Sequence, residues 1–437
     1  MPEPTSAHLA ALADSGVRIA AVRPVLLSAP YADPENLEVR VALPTGWRTT
    51  GLVEVTLDDG TTGLGEGYLA VFAPQVFVST VDLLTPCLLG RPAADLAERY
   101  RDMVLVTGYW SLQGAARHVI SAVEAALVDA LGKRACVPAY ELLGGRRTDR
   151  IRLYASGGDS TSPAAMRTEI AAVAALGIRT FKIRARGHEA DKTVWTLDHA
   201  APHGVGIAVD MAQNLDDPGQ SVADALAFLD AVKTGTRQPL RFLEEPLGPA
   251  RAHEYPALRR AAGCPVAGGE TVTTARELLG RLASGYYDMV QPDATVVGGL
   301  RQTLAVFAAA EAHGVDTVVH CWGSAVCQAA NYHAAFVGGG RLAEWPLPAY
   351  SLRSELLVEP FRIEAGHLLA PRAPGLGVRL TPETEQRYAF RSDAVYRCPT
   401  ALPPPVPGRW RAARPRRGSR PGDGAGLSGE LLENAFR

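Results

Sequence analysis

The sequence of 437 residues has no excess of charge of either sign, with 44 Lys and Arg against 46 Asp and Glu. This balance argues against a dedicated nucleic-acid binder, which usually carries a clear basic excess. No apolar run approaches the roughly 20 residues that a membrane-spanning helix needs. The first residues lack both the basic start and the apolar stretch of a signal peptide. We therefore expect a cytoplasmic protein that binds neither membranes nor nucleic acid.

Cysteines are few and scattered, and none of the six forms a CxxC pair. In a chain of this length that pattern excludes a disulfide framework and gives no sign of a zinc site. A dinucleotide-binding GxGxxG motif is also missing, because the GLGEG segment at 63–67 lacks its spacing and is interpreted as a turn. The overall composition, with 47% hydrophobic residues, is that of an ordinary globular protein.

From residue 146 to residue 359, β-rich and helical segments alternate. The starts of the β-rich segments lie 23 to 35 residues apart, which is the length of one strand with its helical crossover. Eight such units in succession predict a (β/α)8 barrel rather than an open sheet. The β-rich segments are 151–156, 180–184, 206–211, 241–246, 265–270, 288–293, 317–321 and 341–345.

The segments on either side of the barrel have other patterns. Residues 17–145 begin with long extended segments around a hairpin turn at 58–60 and continue as helix, which predicts an α+β domain. Residues 360–390 are again β-rich and are expected to return to that domain. Residues 391–437 are rich in Pro and Arg without a periodic apolar face, so we predict a disordered tail that catalysis does not need.

Acidic residues mark the ends of three successive barrel segments. Asp210, Glu244 and Glu270 lie at or near the ends of the third, fourth and fifth segments. In a barrel enzyme the chemistry lies at the C-terminal ends of the strands, so these carboxylates should converge. One carboxylate alone would be an ordinary loop residue, but three in register are hard oxygen ligands of the kind that Mg²⁺ prefers. The sequence therefore predicts a magnesium site.

Other charged side chains fall at the same end of the predicted barrel. Lys182 and Arg184 are two residues apart, so both face the same side of the second strand. Asp293 and His320 end the sixth and seventh segments, and an Asp beside a His orients the imidazole and raises its basicity. Glu344 lies near the end of the eighth segment. We interpret all five as candidate catalytic residues.

With these positions in place, the sequence resembles the enolase superfamily and, within it, the mandelate racemase-like group. The resemblance covers about residues 17–390 and keeps the order and spacing of every motif. It implies a modified (β/α)7β barrel with an α+β capping domain that the C-terminal segment completes. The motifs that carry it are FKIR (181–184), VDMAQN (209–214), LEEP (243–246), AGGE (267–270), QPDATVVGG (291–299) and VVHCWGS (318–324).

The resemblance also implies roles for the candidate residues. Asp210, Glu244 and Glu270 match the ligands of one Mg²⁺ per subunit. Asp293 and His320 match the acid/base pair of the family. Glu344 likewise matches a glutamate that hydrogen-bonds the substrate, a small carboxylate such as an acid sugar. Members of this family are often homo-oligomers, and we expect the same here.

Two positions depart from the family pattern: Arg184 stands where a second Lys is usual, and Ala212 stands where Asn is common. Arg, with a pKa of roughly 12.5–13.8, is a poor base, which weakens a racemase or epimerase interpretation that needs a base on each face. His320 alone can take the α-proton and then protonate a departing β-hydroxyl. We therefore favour dehydration of a sugar acid to a 2-keto-3-deoxy acid, with Lys182 near the substrate carboxylate.

Two alternatives remain open at this point. The HCWGS motif, with Trp322, resembles cycloisomerases that act on a sugar lactone or an anhydro-sugar acid. The departures at Arg184 and Ala212 also leave room for a metal-binding barrel that has lost its activity, although all three carboxylates and the Asp–His pair are retained.

Overall fold

The computed structural model describes residues 6–32, 41–160, 162–213, 219–397 and 410. After helix α1 (Ala7–Asp14), three long strands form an antiparallel sheet: β1 (Ile19–Ala32), β2 (Trp47–Leu57) and β3 (Thr62–Glu66). Their side chains are mostly buried, and the sheet is extended at the outer edge of β1 by the two-residue strand β12 (Ala349–Tyr350). Strand β12 ties the first domain to the end of the barrel.

The GLGEG segment is strand β3 rather than the turn that the sequence predicted. Its glycines are needed because the sheet packs directly on a helix. A Cβ atom on Gly65 would lie 1.9 Å from the carbonyl oxygen of Ala122, and one on Gly63 would lie 2.2 Å from that of Ala126. The helix that approaches so closely is α4, and its interior is almost wholly buried. The helices of this region are α2 (Pro74–Leu88), α3 (Leu96–Thr107), α4 (Ala115–Arg134) and α5 (Ala139–Leu142).

The second part of the chain is a closed parallel barrel. Neighbouring strands pair in sequence order from β4 to β10, β11 pairs with β4, and a bridge between Val319 and Ala343 closes the circle. The strands are β4 (Arg150–Gly157), β5 (Thr180–Arg184), β6 (Gly206–Asp210), β7 (Leu243–Glu244), β8 (Val266–Gly268), β9 (Met289–Val290), β10 (Asp316–Thr317) and β11 (Leu342–Pro346). This confirms the predicted barrel with a capping domain.

Helices connect the barrel strands and cover their outer face. Ser162 and Ser221 begin two of them, because each serine side chain accepts a hydrogen bond from the backbone N–H three residues on. The helices are α6 (Pro163–Ala175), α7 (Ala190–Ala200), α8 (Val222–Gly235), α9 (Tyr255–Ala261), α10 (Ala275–Ala283), α11 (Leu300–Ala312) and α12 (Ala325–Gly338). None of the helices in the described ranges has both the length and the apolar character that crossing a bilayer requires.

The C-terminal segment contacts both parts of the chain. Strands β13 (Ile363–Glu364) and β14 (His367–Leu369) form a hairpin on β4. Leu376 N then donates to Asp129 Oδ1 in the first domain at 2.7 Å. After helix α13 (Pro382–Arg387), Ser28 N donates to the Tyr388 carbonyl at 2.8 Å. The domain bounds predicted from the sequence, 17–145, 146–359 and 360–390, stay a prediction, but these contacts agree with a segment that returns to the cap.

The start of the predicted tail is ordered, so the prediction of disorder from residue 391 onward is wrong for its first seven residues. A short 3₁₀ turn covers Ser392–Ala394, and Tyr396 N donates to the Val71 carbonyl at 2.9 Å. The Tyr396 ring lies 5.2 Å from the ring of Phe72. Trp410 packs against Trp195 at 5.4 Å between ring centroids. Backbone hydrogen bonds and the contact between the Tyr396 and Phe72 rings hold 391–397 in place, which composition alone did not reveal. Apart from Trp410, the remaining tail residues lie outside the described ranges.

Two truncations should separate the ordered part of the tail from the rest. A chain that ends after Arg397 should keep its kcat, because Trp410, the described residue beyond that point, packs against Trp195 and does not line the cavity at the C-terminal ends of the barrel strands. A chain that ends after Phe390 should lose activity and melt several degrees lower, because it loses the backbone hydrogen bonds of 391–397, worth about 1 kcal/mol each, together with the Tyr396 ring. Steady-state assays and thermal melts of both chains check this. Equal activity of the two chains would show that 391–397 is dispensable too.

Candidate active site

A cavity of about 1090 Å³ opens at the C-terminal ends of the barrel strands, and the capping domain forms its other wall. Six of the eight candidate residues line it: Lys182, Arg184, Asp210, Glu270, His320 and Glu344. The other two, Glu244 and Asp293, are completely buried behind that wall. The structure thus brings all the predicted site residues to one end of the barrel.

The three predicted metal ligands occupy neighbouring strand ends. Asp210 and Glu244 are direct partners in the pairing of β6 with β7, and Glu270 follows β8 by two residues. Each carboxylate is occupied by a group of the protein. Lys182 Nζ and Gln291 Nε2 both donate to Glu244. Arg184 Nη2 lies 3.6 Å from Asp210 Oδ2, and His320 Nε2 lies 3.5 Å from Glu270 Oε2.

These carboxylates do not yet form a metal cage. Within the described residues, no three His, Cys, Asp or Glu side chains are arranged to hold an ion. The donor set nevertheless fits a hard divalent cation, because all three groups supply oxygen and carry an excess of negative charge. Burial raises the pKa of Glu244 well above its ordinary value, and the charges of Asp210 and Glu270 add to the rise, despite the opposing effect of Lys182. A bound cation would relieve that repulsion.

The pair of His320 and Asp293 is held rigidly. His320 Nδ1–H donates to Asp293 Oδ2 at 2.8 Å, since an ionised carboxylate can only accept. The other oxygen, Oδ1, accepts from Thr295 N at 2.8 Å, from Thr295 Oγ1 at 2.7 Å and from Asn331 Nδ2 at 2.9 Å. These three donors fix the carboxylate, and the carboxylate fixes the imidazole so that Nε2 faces Glu270 and the cavity.

The carboxylates around His320 control its protonation. Burial lowers the pKa of the imidazole, but Glu270, Glu344 and Asp293 offset this and raise the pKa to about 10. His320 is therefore a cation at neutral pH as long as the charge of Glu270 is not neutralised. In that form it is a proton donor.

Lys182 and Glu344 form a buried ion pair beside the imidazole. Lys182 is 3% exposed, and its Nζ lies 3.0 Å from Glu344 Oε1. Glu344 Oε2 accepts from the backbone N–H of Cys321 at 2.6 Å. Although burial opposes it, the charges of Lys182 and His320 lower the pKa of Glu344 to about 2, so this carboxylate is ionised. Lys182 is thus a buried positive centre in the cavity wall.

The two positions that depart from the family pattern, Ala212 and Arg184, both lie at the cavity. Ala212 adopts a left-handed conformation, with φ of 50°, and its N–H donates to Asp210 Oδ1 at 2.7 Å. This turn positions the Asp210 carboxylate from the backbone. Arg184 lines the cavity beside Asp210, and its carbonyl accepts from Lys192 Nζ at 2.8 Å, which anchors the end of β5.

Some residues of the site were not found from the sequence. Gln291 and Asn331 are completely buried and hold Glu244 and Asp293, respectively. Gln291 stands two residues before Asp293 in a motif that the sequence singled out, and this was the available signal. From the capping domain, Arg48 and His118 also line the cavity. Nothing in their local sequence marks them, because they reach the site only through the packing of the cap.

Comparisons with known proteins give matches over both parts of the chain. The chain matches the family model described as "Enolase C-terminal domain-like" over residues 165–384. It matches "Mandelate racemase / muconate lactonizing enzyme, N-terminal domain" over residues 37–144. The D-galactonate dehydratase of Xanthomonas campestris pv. campestris (strain B100) is 30% identical over 352 residues, which are 77% of this chain and 90% of the relative. The arabinonate dehydratase of Saccharolobus solfataricus is 27% identical over 348 residues, covering 78% and 90%.

Solved structures have the same fold. The 3,6-anhydro-D-galactonate cycloisomerase from Zobellia galactanivorans superposes with a TM-score of 0.74 at 24% identity, over 86% of this chain and all of that one. The L-talarate/galactarate dehydratase from Salmonella typhimurium LT2 superposes with a TM-score of 0.73 at 22% identity, over 86% and 93%. At these identities the likeness extends to the fold alone.

Proposed function

Because the chain belongs to the mandelate racemase/muconate lactonizing enzyme family of the enolase superfamily, we propose that this enzyme dehydrates a sugar acid to a 2-keto-3-deoxy acid. The observation that carries the proposal is the single acid/base pair, His320 with Asp293, at 2.8 Å. Arg184 occupies the position where a second base would be needed for racemisation. The relatives named D-galactonate dehydratase and arabinonate dehydratase support the same reaction class.

We propose that Asp210, Glu244 and Glu270 hold one Mg²⁺. When bound there, the ion supplies a positive charge that stabilises the negative charge developing on the substrate carboxylate. On the protein side, Lys182 and Gln291 must release or share Glu244, since both donate to it. Lys182 is then available to the substrate carboxylate as a second positive centre.

His320 moves the proton in both halves of the reaction. A cation held by Glu270 would neutralise the charge that most favours the imidazolium, and so would favour the neutral imidazole of His320. In that form His320 takes the proton from the carbon α to the carboxylate through Nε2, while Asp293 stabilises the imidazolium that forms. The imidazolium then returns this proton to the β-hydroxyl as the bond between the β-carbon and oxygen breaks, and water leaves. The resulting enol tautomerises to the 2-keto acid, so atoms and charge balance.

The remaining charged groups bind and orient. Glu344, ionised between Lys182 and the Cys321 N–H, can accept a hydrogen bond from a substrate hydroxyl. Arg184 is a permanent donor that binds oxygen and does not remove protons. The homo-oligomer and the cytoplasmic location expected from the sequence stay predictions.

A cycloisomerase is the second candidate. Trp322 lines the cavity two residues after His320, in the HCWGS motif. The bond between the β-carbon and the ring oxygen of a lactone or anhydro-sugar acid would then break in place of the bond to a hydroxyl, His320 would protonate that oxygen or it would leave as a carboxylate, and the ring would open without loss of water. The proton-transfer role of His320 is the same in both reactions, so the product distinguishes them.

A screen of acid sugars tests the proposed function. Purified enzyme with Mg²⁺ is offered aldonic and aldaric acids, sugar lactones and anhydro-sugar acids, and 2-keto-acid formation is followed. Exchange of the α-proton in D₂O is measured by NMR on the same samples. We expect exchange and 2-keto-acid formation from at least one sugar acid, both lost with chelator. Exchange with only ring-opened or ring-closed isomers as products would favour the cycloisomerase, and no exchange with any compound would refute both.

A further inference from the structure

Arg48, on strand β2, is a buried cation on the cap side of the cavity. It is 2% exposed and lines the cavity together with His320 and Tyr68. Its Nη1 donates to the Trp322 carbonyl at 2.8 Å, but its Nη2, although buried, has no hydrogen-bond partner among the described residues. Leaving a charged donor without a partner is costly, so an acceptor absent from the protein itself is expected at this place.

The surroundings of Arg48 carry an uncompensated positive charge. Arg353 lies nearby, with its guanidinium over the ring of Trp322 at 5.6 Å and over that of Tyr350 at 5.8 Å, and its own Nη2 also lacks a partner within the described ranges. Glu66 is the carboxylate that acts on Arg48. Glu66 is already bonded by Ser324 N at 3.0 Å and Cys327 N at 3.1 Å. Arg48 and Arg353 therefore repel each other, and the carboxylate that acts on Arg48 is committed elsewhere.

Aromatic rings surround the Arg48 guanidinium in this corner of the cavity. The Arg48 guanidinium lies 5.5 Å from the centroids of Tyr31 and Tyr68 and 5.3 Å from that of Tyr350. Stacking on aromatic faces holds the guanidinium group in one orientation, which prepares it for a planar bidentate partner. A carboxylate is such a partner.

Arg48 lies close enough to the proton-transfer residue for one substrate molecule to contact both. The Tyr68 ring is 6.5 Å from the His320 ring and 5.5 Å from Arg48, so the guanidinium lies no more than 12 Å from the imidazole. An extended six-carbon sugar acid can bridge this span, with hydrogen bonds of about 3 Å at its ends. The reacting carboxylate at Lys182 would leave the opposite end of the chain at Arg48.

We propose that Arg48 binds the terminus of the substrate that is distal to the reacting carboxylate, and that this terminus is a second carboxylate. The preferred substrates are then dicarboxylic sugar acids rather than monocarboxylic ones. This inference rests on the proposed dehydration and adds a substrate class to it. It sets the chain apart from the relatives named for D-galactonate and arabinonate, which are monocarboxylates.

A merely structural role of Arg48, as a link from β2 to the Trp322 carbonyl, makes a different prediction. Loss of a structural link lowers activity equally for every substrate. Loss of a carboxylate partner lowers it for diacids alone. The monocarboxylic acid is therefore the internal control in each variant.

The experiment compares galactarate and glucarate with galactonate and gluconate, using the wild-type enzyme with Mg²⁺ and the variants Arg48→Gln and Arg48→Lys. We expect the wild type to prefer the diacids at least tenfold in kcat/KM. Arg48→Gln should lower kcat/KM for diacids by about 10- to 100-fold, the usual effect of one charged hydrogen bond, and change that for monoacids less than threefold. Arg48→Lys should retain an intermediate preference. Thermal melts establish that each variant is folded.

Each possible result supports or overturns a stated part of the proposal. A wild type that dehydrates monoacids as well as diacids, or better, overturns the substrate class and leaves the proposed function intact. Equal losses for both classes in Arg48→Gln assign Arg48 a structural role. If Arg48→Gln does not fold, the wild-type preference and that of Arg48→Lys still answer the question. An absence of α-proton exchange with all four acids refutes the proposed function, and the inference falls with it.

Discussion

Replacing Glu270 with Gln should reduce turnover by about 1000-fold or more, while the protein stays folded. The change removes one of three carboxylates whose shared negative charge suits a divalent cation, and a factor of 1000 corresponds to about 4 kcal/mol of lost transition-state stabilisation. The fold should survive because Glu270 is only half-buried at the cavity wall and His320, with which it forms an ion pair, keeps Asp293. Titration calorimetry measures the expected loss of Mg²⁺ binding, and steady-state assays measure the loss of turnover.

The melting temperature gives a second readout that does not depend on activity. A ligand that binds only the folded state stabilises it by mass action, so Mg²⁺ should raise the melting temperature of the wild type. Glu270→Gln should melt close to the metal-free wild type and gain little from Mg²⁺. Glu277→Gln is the matched control: this carboxylate pairs with Arg281 at 2.5 Å on helix α10, outside the cavity wall, so the variant should respond as the wild type does. Full Mg²⁺-dependent activity in Glu270→Gln would remove Glu270 from the metal site.

Whether a site residue could be predicted from the sequence depends on what positions that residue in the site. Asp210, Glu270 and His320 are placed by the strand to which they belong, and a repeat of one strand per 23 to 35 residues is enough to send them to the same end of a barrel. Arg48 and Asn331 are placed by contacts between distant segments. Arg48 meets Trp322 across 274 residues of chain, and no local pattern carries that information.

The two segments whose structure was predicted wrongly, 63–67 and 391–397, have a related cause. Gly63 and Gly65 have the composition of a turn, but the close approach of helix α4 requires glycine in a strand there. Residues 391–397 have the composition of a tail, but the Tyr396 ring packs against Phe72 of the cap. In both cases a tertiary contact overrides the local propensity.

His320 should be the obligate proton-transfer residue, and Arg184 should not. Arg has an ordinary pKa about six units above that of His, and at about 1.4 kcal/mol per unit roughly 8 kcal/mol of destabilisation would be needed to make it a base at neutral pH. The structure supplies the opposite, because Arg184 Nη2 lies 3.6 Å from Asp210 Oδ2, and a neighbouring negative charge favours the cation. His320 instead has Asp293 to orient it and to stabilise its protonated form.

Substitution of the two residues should therefore have unequal effects. His320→Asn should lower both α-proton exchange in D₂O and product formation by up to about 10⁴-fold, since one residue provides the base and the acid. Arg184→Lys should keep measurable exchange, because Lys retains the positive charge beside Asp210 and adds a group able to act as a base on the opposite face. NMR of the substrate in D₂O follows exchange, and product assays follow dehydration in the same samples. Near wild-type exchange in His320→Asn, combined with loss of exchange in Arg184→Ala, would show that the proton leaves toward β5. The site would then work from two faces, and a racemase or cycloisomerase would explain it better than a one-base dehydratase.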